Sequence, residues 1–165
     1  MIDTLVPLPY TRTKGVYVFR RLDALSSQQL VNMVMTSRIA SLSDRDIDNF
    51  HCTVIQSPER IPATTPIALP DIKARLTRVG WIEGESGQGC LLAYLRSVGL
   101  EEEHASWARA GAVHSQNAYR PHVTLKTPFS LYSGFTTRLI EVNNHLLDKP
   151  TCLTLTEEII SDCCC

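Results

Sequence analysis

The chain has 165 residues, of which 44% are hydrophobic and 20% are charged, and its formal net charge is −1. This composition is typical of a globular protein with one core, and the near-neutral charge argues against the large basic surface that duplex nucleic acid requires. No apolar run has the length of a membrane span and the N-terminus has no signal pattern, so we expect a cytoplasmic protein without a membrane partner.

The first half of the chain predicts a strand–helix–strand unit after an extended, proline-containing lead-in. Alternating apolar residues indicate the strands, and two serines before a stretch of helical periodicity indicate the start of the helix. The expected positions are 1–13 for the lead-in, 15–20 for the first strand, Ser26 for the helix start, 41–49 for a polar, turn-rich segment and 50–55 for the second strand.

The segment 58–70 contains four prolines and predicts a loop with little capacity for helix or ladder pairing. We interpret it as the link between two lobes of a single domain spanning 1–165. A frayed tail is expected at 161–165, where the last three residues are cysteines. The sequence does not assign those cysteines a role.

The second half predicts a β-hairpin, then a helix, a strand, a second helix and a closing strand. Glycine-rich and polar segments separate these elements, and three glutamates suit the first turn of the first helix. The expected positions are 72–95 for the hairpin with its turn at 84–89, 100–112 for the helix, 113–120 for a polar loop, 121–126 for the strand, 135–147 for the second helix and 153–159 for the last strand.

Two of these strands carry the same pattern, a histidine and a threonine two positions apart: His51 with Thr53, and His122 with Thr124. Side chains at i and i+2 of a strand share a face, so each imidazole has a hydroxyl beside it. Histidine supplies both the base and the acid of phosphodiester cleavage, and threonine hydroxyls can donate hydrogen bonds to phosphate oxygens. One copy is more often a chance occurrence, but two copies favour acid–base catalysis without a metal or other cofactor.

The paired HxT motifs resemble those of the 2H phosphoesterase superfamily, in which an apolar residue often follows the motif, as Val54 and Leu125 do here. The order of the predicted elements also fits that family over nearly the whole chain. The resemblance implies an α+β, bilobal fold in which two pseudo-symmetric β-sheet lobes with flanking helices enclose a central cleft. It also implies that the two HxT pairs form the catalytic set.

The stretch 117–124, Asn-Ala-Tyr-Arg-Pro-His-Val-Thr, is similar to the second motif of the phage anti-CBASS phosphodiesterases. These enzymes degrade the cyclic di- and trinucleotide signals of bacterial defence. The resemblance implies a metal-independent hydrolase of 3′–5′ bonds that takes a cyclic oligonucleotide as its partner in the host bacterial cytoplasm. It further implies ligand contacts by Tyr17, by Trp81 and by Glu157 or Glu158.

The residues themselves leave alternatives at these positions. Tyr17 either lines the cleft or packs in the core, and Trp81 either stacks on a base or caps the core beside the hairpin turn. Because Glu157 and Glu158 have opposite parity, only one of them can face the cleft.

Two further ligand contacts are expected around the second motif. Tyr119 is expected at the rim of the cleft. Lys126 shares the parity of the motif residues and is expected to attract phosphate, with Lys14 and Arg120 as weaker candidates. His104, His114 and His145 are expected to be surface or packing residues.

Two other functions are compatible with the motifs. One is an RNA 2′,3′-cyclic phosphodiesterase or RNA-end processing enzyme, and the other is a protein that sequesters a cyclic nucleotide without turnover. Intact HxT pairs argue against the second, because a pure binder needs no acid–base pair. The preferred bases, the ring size, the oligomeric state and the identity of the acid and the base stay open.

Overall fold

The computed structural model describes residues 5–7, 15–58, 64–66, 70–84, 88–113 and 118–162. The elements in these ranges follow one another in this order: β1 (Leu5–Pro7), β2 (Val16–Leu22), α1 (Ala24–Ser37), α2 (Asp44–Asp48), β3 (His51–Ser57), β4 (Thr64–Pro66), β5 (Ile72–Glu83), β6 (Gly89–Arg96), α3 (Val98–Arg109), β7 (His122–Phe129), α4 (Phe135–Asp148) and β8 (Thr151–Asp162). Among the helices of these ranges, none is long and apolar enough to cross a membrane.

Six antiparallel strands close into a barrel in the order β2–β3–β7–β6–β5–β8. Strands β8, β2 and β3 form one lobe, and strands β5, β6 and β7 form the other. The lobes meet where β3 pairs with β7 and where β5 pairs with β8. This arrangement confirms the predicted α+β, bilobal fold.

Period-2 alternation divides each strand between the core and an outward face. In β2, Val16 and Val18 are fully buried, whereas Tyr17 between them is only partly buried. In β3 and β7 the residues between the histidine and the threonine, Cys52 and Val123, are both fully buried. Both HxT motifs therefore project from the outward side of the barrel wall.

Side-chain caps set helix boundaries that hydrophobic periodicity did not indicate. Helix α1 begins before Ser26, because the Asp23 carboxylate accepts a hydrogen bond from the Ser26 backbone N–H at 2.7 Å. The segment 41–49, predicted as turns, contains α2. A reciprocal capping box stabilises this short helix: Asp46 N–H donates to the Ser43 hydroxyl, and Ser43 N–H donates to the Asp46 carboxylate.

The segment 58–70, predicted to have little capacity for ladder pairing, contains the three-residue strand β4, which pairs with β1 in the lead-in. Pro7 and Pro66 lie at the ends of these short strands, where a missing N–H costs little pairing. Residues 59–63 and 67–69 of the predicted link lie outside the described residues. Strand β8 also continues through Asp162, two residues into the predicted tail, and 163–165 lie outside the described residues.

Candidate active site

The two HxT strands are register partners. Cys52 of β3 pairs with Val123 of β7 in antiparallel orientation. One residue to either side of this pair, antiparallel pairing places His51 beside Thr124 and Thr53 beside His122. Each histidine has a threonine on its own strand and another across the seam between the lobes.

Both imidazoles are oriented by the same backbone contact. The Nδ1 atom of His51 lies 2.6 Å from the Asn49 carbonyl oxygen, and that of His122 lies 2.8 Å from the Arg120 carbonyl oxygen. A carbonyl oxygen can only accept, so Nδ1 carries the proton in each ring. In the neutral ring, Nε2 is then left to accept a proton on the outward face, and in the protonated ring the same nitrogen can deliver one.

The Tyr17 hydroxyl joins the two residues of the first motif. It lies 2.8 Å from His51 Nε2 and 3.0 Å from Thr53 Oγ1. With a neutral His51, the phenol donates to Nε2 and accepts from the threonine hydroxyl. Tyr17 thus lies on the outward face, and its hydroxyl contacts the reactive nitrogen of His51.

The surroundings of His51 shift its pKa. Burial lowers the pKa of His51 from its ordinary value of 6.5, and the positive charges of Arg21 and His122 act in the same direction. The Asn49 carbonyl opposes this shift, because it accepts a hydrogen bond from the ring. The environment therefore favours the neutral imidazole at position 51.

A cavity of about 570 Å³ opens between α2 and β7. His51, Thr124 and Lys126 line it together with Arg45 and Asn49 from the α2 region. Its size is in the range of small-molecule sites, and two cations border it. It thus offers an anionic ligand direct access to the first histidine and the second threonine.

Lys126 lies in this cavity as its parity predicts. Its ammonium group donates to the Ser41 carbonyl oxygen and lies 3.6 Å from the Asp46 carboxylate. These contacts hold the amine at the cavity wall rather than in open solvent.

Tyr119 supports the first motif strand and also lines a cavity beside the second one, next to Arg120. The expected ligand contact at the rim stays a prediction. The Tyr119 hydroxyl donates to the Thr53 carbonyl oxygen at 3.0 Å, and the Tyr119 ring stacks on His104 at 4.1 Å between centroids. His104 Nδ1 in turn donates to the Val54 carbonyl oxygen at 2.7 Å. The carbonyl groups of two consecutive β3 residues, Thr53 and Val54, therefore each accept a hydrogen bond from a side chain that lies outside the sheet. Of the two roles expected for His104, surface or packing, these contacts favour packing.

Trp81 lies on the core-facing side of β5, with the parity of the buried Val79. Its register partner is the fully buried Leu91, and its indole N–H donates to the Phe129 carbonyl oxygen at 3.3 Å. These contacts favour the alternative in which Trp81 caps the core next to the hairpin turn, and base stacking by its partly buried ring stays a prediction.

The two glutamates of β8 point to opposite sides, as their parity requires. Glu158 is the register partner of the fully buried Arg20 and accepts a hydrogen bond from the Trp107 indole N–H at 3.0 Å, so its carboxylate has a partner within the protein. Glu157 is exposed and has the parity of Ile159, the register partner of Phe19. Glu157 is thus the glutamate on the outward face.

Sequence reasoning missed three side chains of the outward face, Phe19, Arg21 and Tyr94. Phe19 lies 5.2 Å from the His51 ring, and Tyr94 lies 6.3 Å from the His122 ring, between centroids. Phe19 and Arg21 share the parity of Tyr17, so alternation along β2 was a sufficient signal for both. The position of Tyr94 near the site follows only from the pairing of β6 with β7, in which Tyr94 lies opposite His122.

Within the described residues, no cluster of three or more His, Cys, Asp or Glu side chains is arranged to hold a metal ion. The chemical groups that the outward face presents are the two motif imidazoles, the two motif hydroxyls and the Tyr17 phenol.

Comparison with known proteins supports a relationship over most of the chain. The family model described as "Anti-CBASS protein Acb1" matches residues 14–138. The chain is 30% identical over 116 residues to the anti-CBASS protein Acb1 of Vibrio phage KVP40. The matched segment covers 70% of this chain and 74% of that protein. The structure also resembles the crystal structure of E. coli LigT complexed with 3′-AMP, with a TM-score of 0.51 and 16% sequence identity. The match covers 89% of this chain and 86% of the LigT chain, which shows that the two share a fold. The chain therefore belongs to the anti-CBASS protein Acb1 family.

Proposed function

We propose that this protein is a phosphodiesterase that hydrolyses the 3′–5′ bonds of a cyclic di- or trinucleotide signal, with His51 and His122 as its acid–base pair. Its family is that of the anti-CBASS proteins, which supports a cyclic nucleotide as the substrate and the cytoplasm of a bacterial host as the place of action. The two lobes act as one domain in this proposal, because each supplies one histidine.

The observation that carries the proposal is the matching orientation of the two histidines. Both Nδ1 atoms donate to a carbonyl two residues upstream, so both Nε2 atoms are the proton-accepting nitrogens of their rings. One register pair holds the two strands together at this point. A phosphodiester between the two rings can therefore meet a base on one side and an acid on the other.

We assign His51 as the base and His122 as the acid. Burial favours neutral His51, which is the form that accepts a proton. In the first step the ribose 2′-hydroxyl attacks the adjacent phosphorus, His51 takes the hydroxyl proton, and His122 protonates the departing 5′-oxygen. The 2′,3′-cyclic phosphate that forms is opened by water to a 3′-phosphate, with the roles of the histidines reversed.

Thr53 and Thr124 donate hydrogen bonds to the non-bridging oxygens as charge develops on them. Without substrate, the Tyr17 hydroxyl occupies the position of the attacking 2′-hydroxyl, because it lies 2.8 Å from His51 Nε2. The substrate 2′-hydroxyl replaces it at this nitrogen, and the phenol remains within reach of Thr53.

The test uses purified protein with excess EDTA against 3′,3′-cyclic GMP-AMP, a cyclic triadenylate and an RNA with a 2′,3′-cyclic phosphate end. Chromatography and mass spectrometry resolve the products, and a His51→Ala, His122→Ala double variant is the control. Cleavage of the cyclic oligonucleotides by the unmodified protein alone supports the proposal. Cleavage of the RNA end alone contradicts it in favour of the RNA enzyme, and retention of intact ligand contradicts it in favour of sequestration.

A second substrate tests the mechanism separately. A cyclic dinucleotide without 2′-hydroxyl groups lacks the attacking nucleophile, so we expect no cleavage of it. An undiminished rate on this substrate contradicts the internal attack, even where the other results agree.

A further inference from the structure

A second cavity, of about 300 Å³, lies beside the His122 strand and is distinct from the Lys126 cavity. Three arginines line it, Arg78 from β5, Arg96 from β6 and Arg120 from the segment before β7, together with Tyr94. All three arginines are exposed. Among the residues that the structure describes, no carboxylate forms an ion pair with any of them. In a chain of net charge −1, this is a local concentration of positive charge.

This cavity is aligned with the catalytic histidine across the sheet. Tyr94 is the register partner of His122, and Arg78 is the register partner of Tyr94. Neighbouring strands are about 4.8 Å apart, so the backbone of Arg78 lies roughly 10 Å from that of His122. A long arginine side chain can therefore act on the same small ligand as the imidazole.

The Arg78 guanidinium is held in place by the Tyr94 ring. Its Cζ atom lies 4.0 Å from the ring centroid, a cation–π contact. Stacking fixes the plane of the guanidinium and leaves its N–H edges for an acceptor. Arginine in this state is suited to paired hydrogen bonds with a phosphate.

A glycine and an asparagine shape the β5 side of the cavity. A Cβ atom at Gly80 would lie 2.7 Å from Tyr94 Cε2 and 3.3 Å from an Arg78 nitrogen. Only glycine at this position therefore leaves room for the Tyr94 and Arg78 side chains to pack over the backbone of β5. Between these positions, the Asn143 side chain of α4 accepts from Val79 N–H at 2.8 Å and donates to the Val79 carbonyl at 3.0 Å. The strand is thus held rigidly where it carries Arg78.

We propose that Arg78, Arg96 and Tyr94 form a subsite for the second, non-scissile phosphate of the cyclic substrate. This inference rests on the proposed function, because it takes the scissile phosphate to lie between His51 and His122. A cyclic dinucleotide carries its other phosphate across the ring, whereas a dinucleoside monophosphate has none. The subsite therefore selects cyclic oligonucleotides over substrates with one phosphodiester.

The experiment measures kcat and KM for 3′,3′-cyclic GMP-AMP and for the linear dinucleoside monophosphate ApG. An Arg78→Ala, Arg96→Ala double variant is compared with the charge-matched Arg109→Ala, Lys149→Ala variant, whose positions line neither cavity. Loss of hydrogen bonds to a charged group corresponds to about tenfold or more in binding. We expect KM for the cyclic substrate to rise by that factor, and the ratio of kcat/KM between cyclic substrate and ApG to fall equally.

A Gly80→Ala variant provides a test without change of charge. The added methyl group displaces the Tyr94 ring, so KM for the cyclic substrate rises while thermal melting shows a folded protein. Equal losses on both substrates, or no loss on either, overturn the subsite.

Binding separates this inference from the proposed function. In a His51→Ala, His122→Ala background, calorimetry with 3′,3′-cyclic GMP-AMP measures affinity without turnover. Weaker binding after Arg78→Ala, Arg96→Ala supports the subsite, and unchanged binding overturns it. Absence of turnover by the unmodified protein contradicts the proposed function instead.

Discussion

The Tyr17 hydroxyl lies 2.8 Å from Nε2 of His51, the nitrogen that accepts a proton in the proposed first step. The same oxygen lies 3.0 Å from the Thr53 hydroxyl, so a chain of two hydrogen bonds runs from the threonine to the imidazole. This chain stabilises neutral His51, in addition to the effect of burial. The protonation state of the base therefore depends on a side chain from the neighbouring strand.

Replacing Tyr17 by phenylalanine removes the donor to neutral His51, so we expect the pKa of His51 to rise. The acidic limb of the kcat/KM profile, which lies below pH 6.5 in the unmodified protein because the pKa of His51 is lowered, moves upward by up to about one pH unit. A pH–rate profile on a cyclic dinucleotide measures this shift. An acidic limb that stays in place in Tyr17→Phe contradicts the hydrogen-bond chain.

His51→Ala and His122→Ala each remove one half of the acid–base pair. We expect either change to lower kcat by about 10²–10⁴, with little further loss in the double variant, because the two groups act in one transition state. His145→Ala, an exposed histidine of α4, is the matched control and retains full activity. Independent, multiplicative losses in the double variant argue against a concerted pair.

Tyr119→Phe leaves the Thr53 carbonyl without its phenolic donor. The expected cost is about 1–3 kcal/mol of unfolding free energy, and each kcal/mol lowers Tm by roughly 2–4 °C in a domain of this size. We also expect a lower kcat, because Thr53 loses its support. Tyr132→Phe is the control, since its hydroxyl donates to the Ile39 carbonyl at 2.6 Å away from the HxT strands. A loss of stability without a loss of kcat in Tyr119→Phe assigns the tyrosine a structural role only.

Glu103→Gln removes the charge partner of a fully buried arginine. Arg20 is 0% exposed, and its guanidinium forms two 2.8 Å hydrogen bonds with the Glu103 carboxylate. Breaking such a pair typically costs about 3–5 kcal/mol, because the buried arginine loses the carboxylate that accepts its hydrogen bonds. Denaturant unfolding measures the loss, and Glu102→Gln, an exposed neighbour, is expected to change stability little. Equal stability of the two variants contradicts the role of the buried pair.

Glu158 makes stability depend on pH. Burial, followed by its hydrogen bond with Glu103, raises the pKa of Glu158 from 4.5 to about 8. The folded state then holds a proton that the unfolded state releases, so this contribution to stability is complete below pH 4.5 and is lost as the pH rises through 8. His51 acts in the opposite sense, because its lowered pKa adds stability as the pH rises towards 6.5.

The variant that isolates this effect is Glu158→Gln. We expect it to flatten the decline in unfolding free energy between pH 5 and 8 (a range set by the raised pKa), while the His51 contribution remains. Urea unfolding at several pH values measures the slope. A decline as steep as that of the unmodified protein shows that Glu158 is not the titrating group.

The sequence by itself determined which side chains share a face. Period-2 alternation put His51 with Thr53 and His122 with Thr124, and it required Glu157 and Glu158 to point apart. The recurrence of the pattern identified the family and the bilobal fold. These conclusions were accessible because side-chain direction along one strand is a local property of the backbone.

The tertiary structure alone decided which face meets the core and how the strands align. The pairing of Cys52 with Val123 makes one site of two motifs, and a register shift between Val18 and Phe19 places Thr53 opposite Phe19. Trp81 and Glu158 point inward because of the strands that flank them. Strand register and bulges depend on partners distant in the chain, so alternation within a single strand does not reveal them.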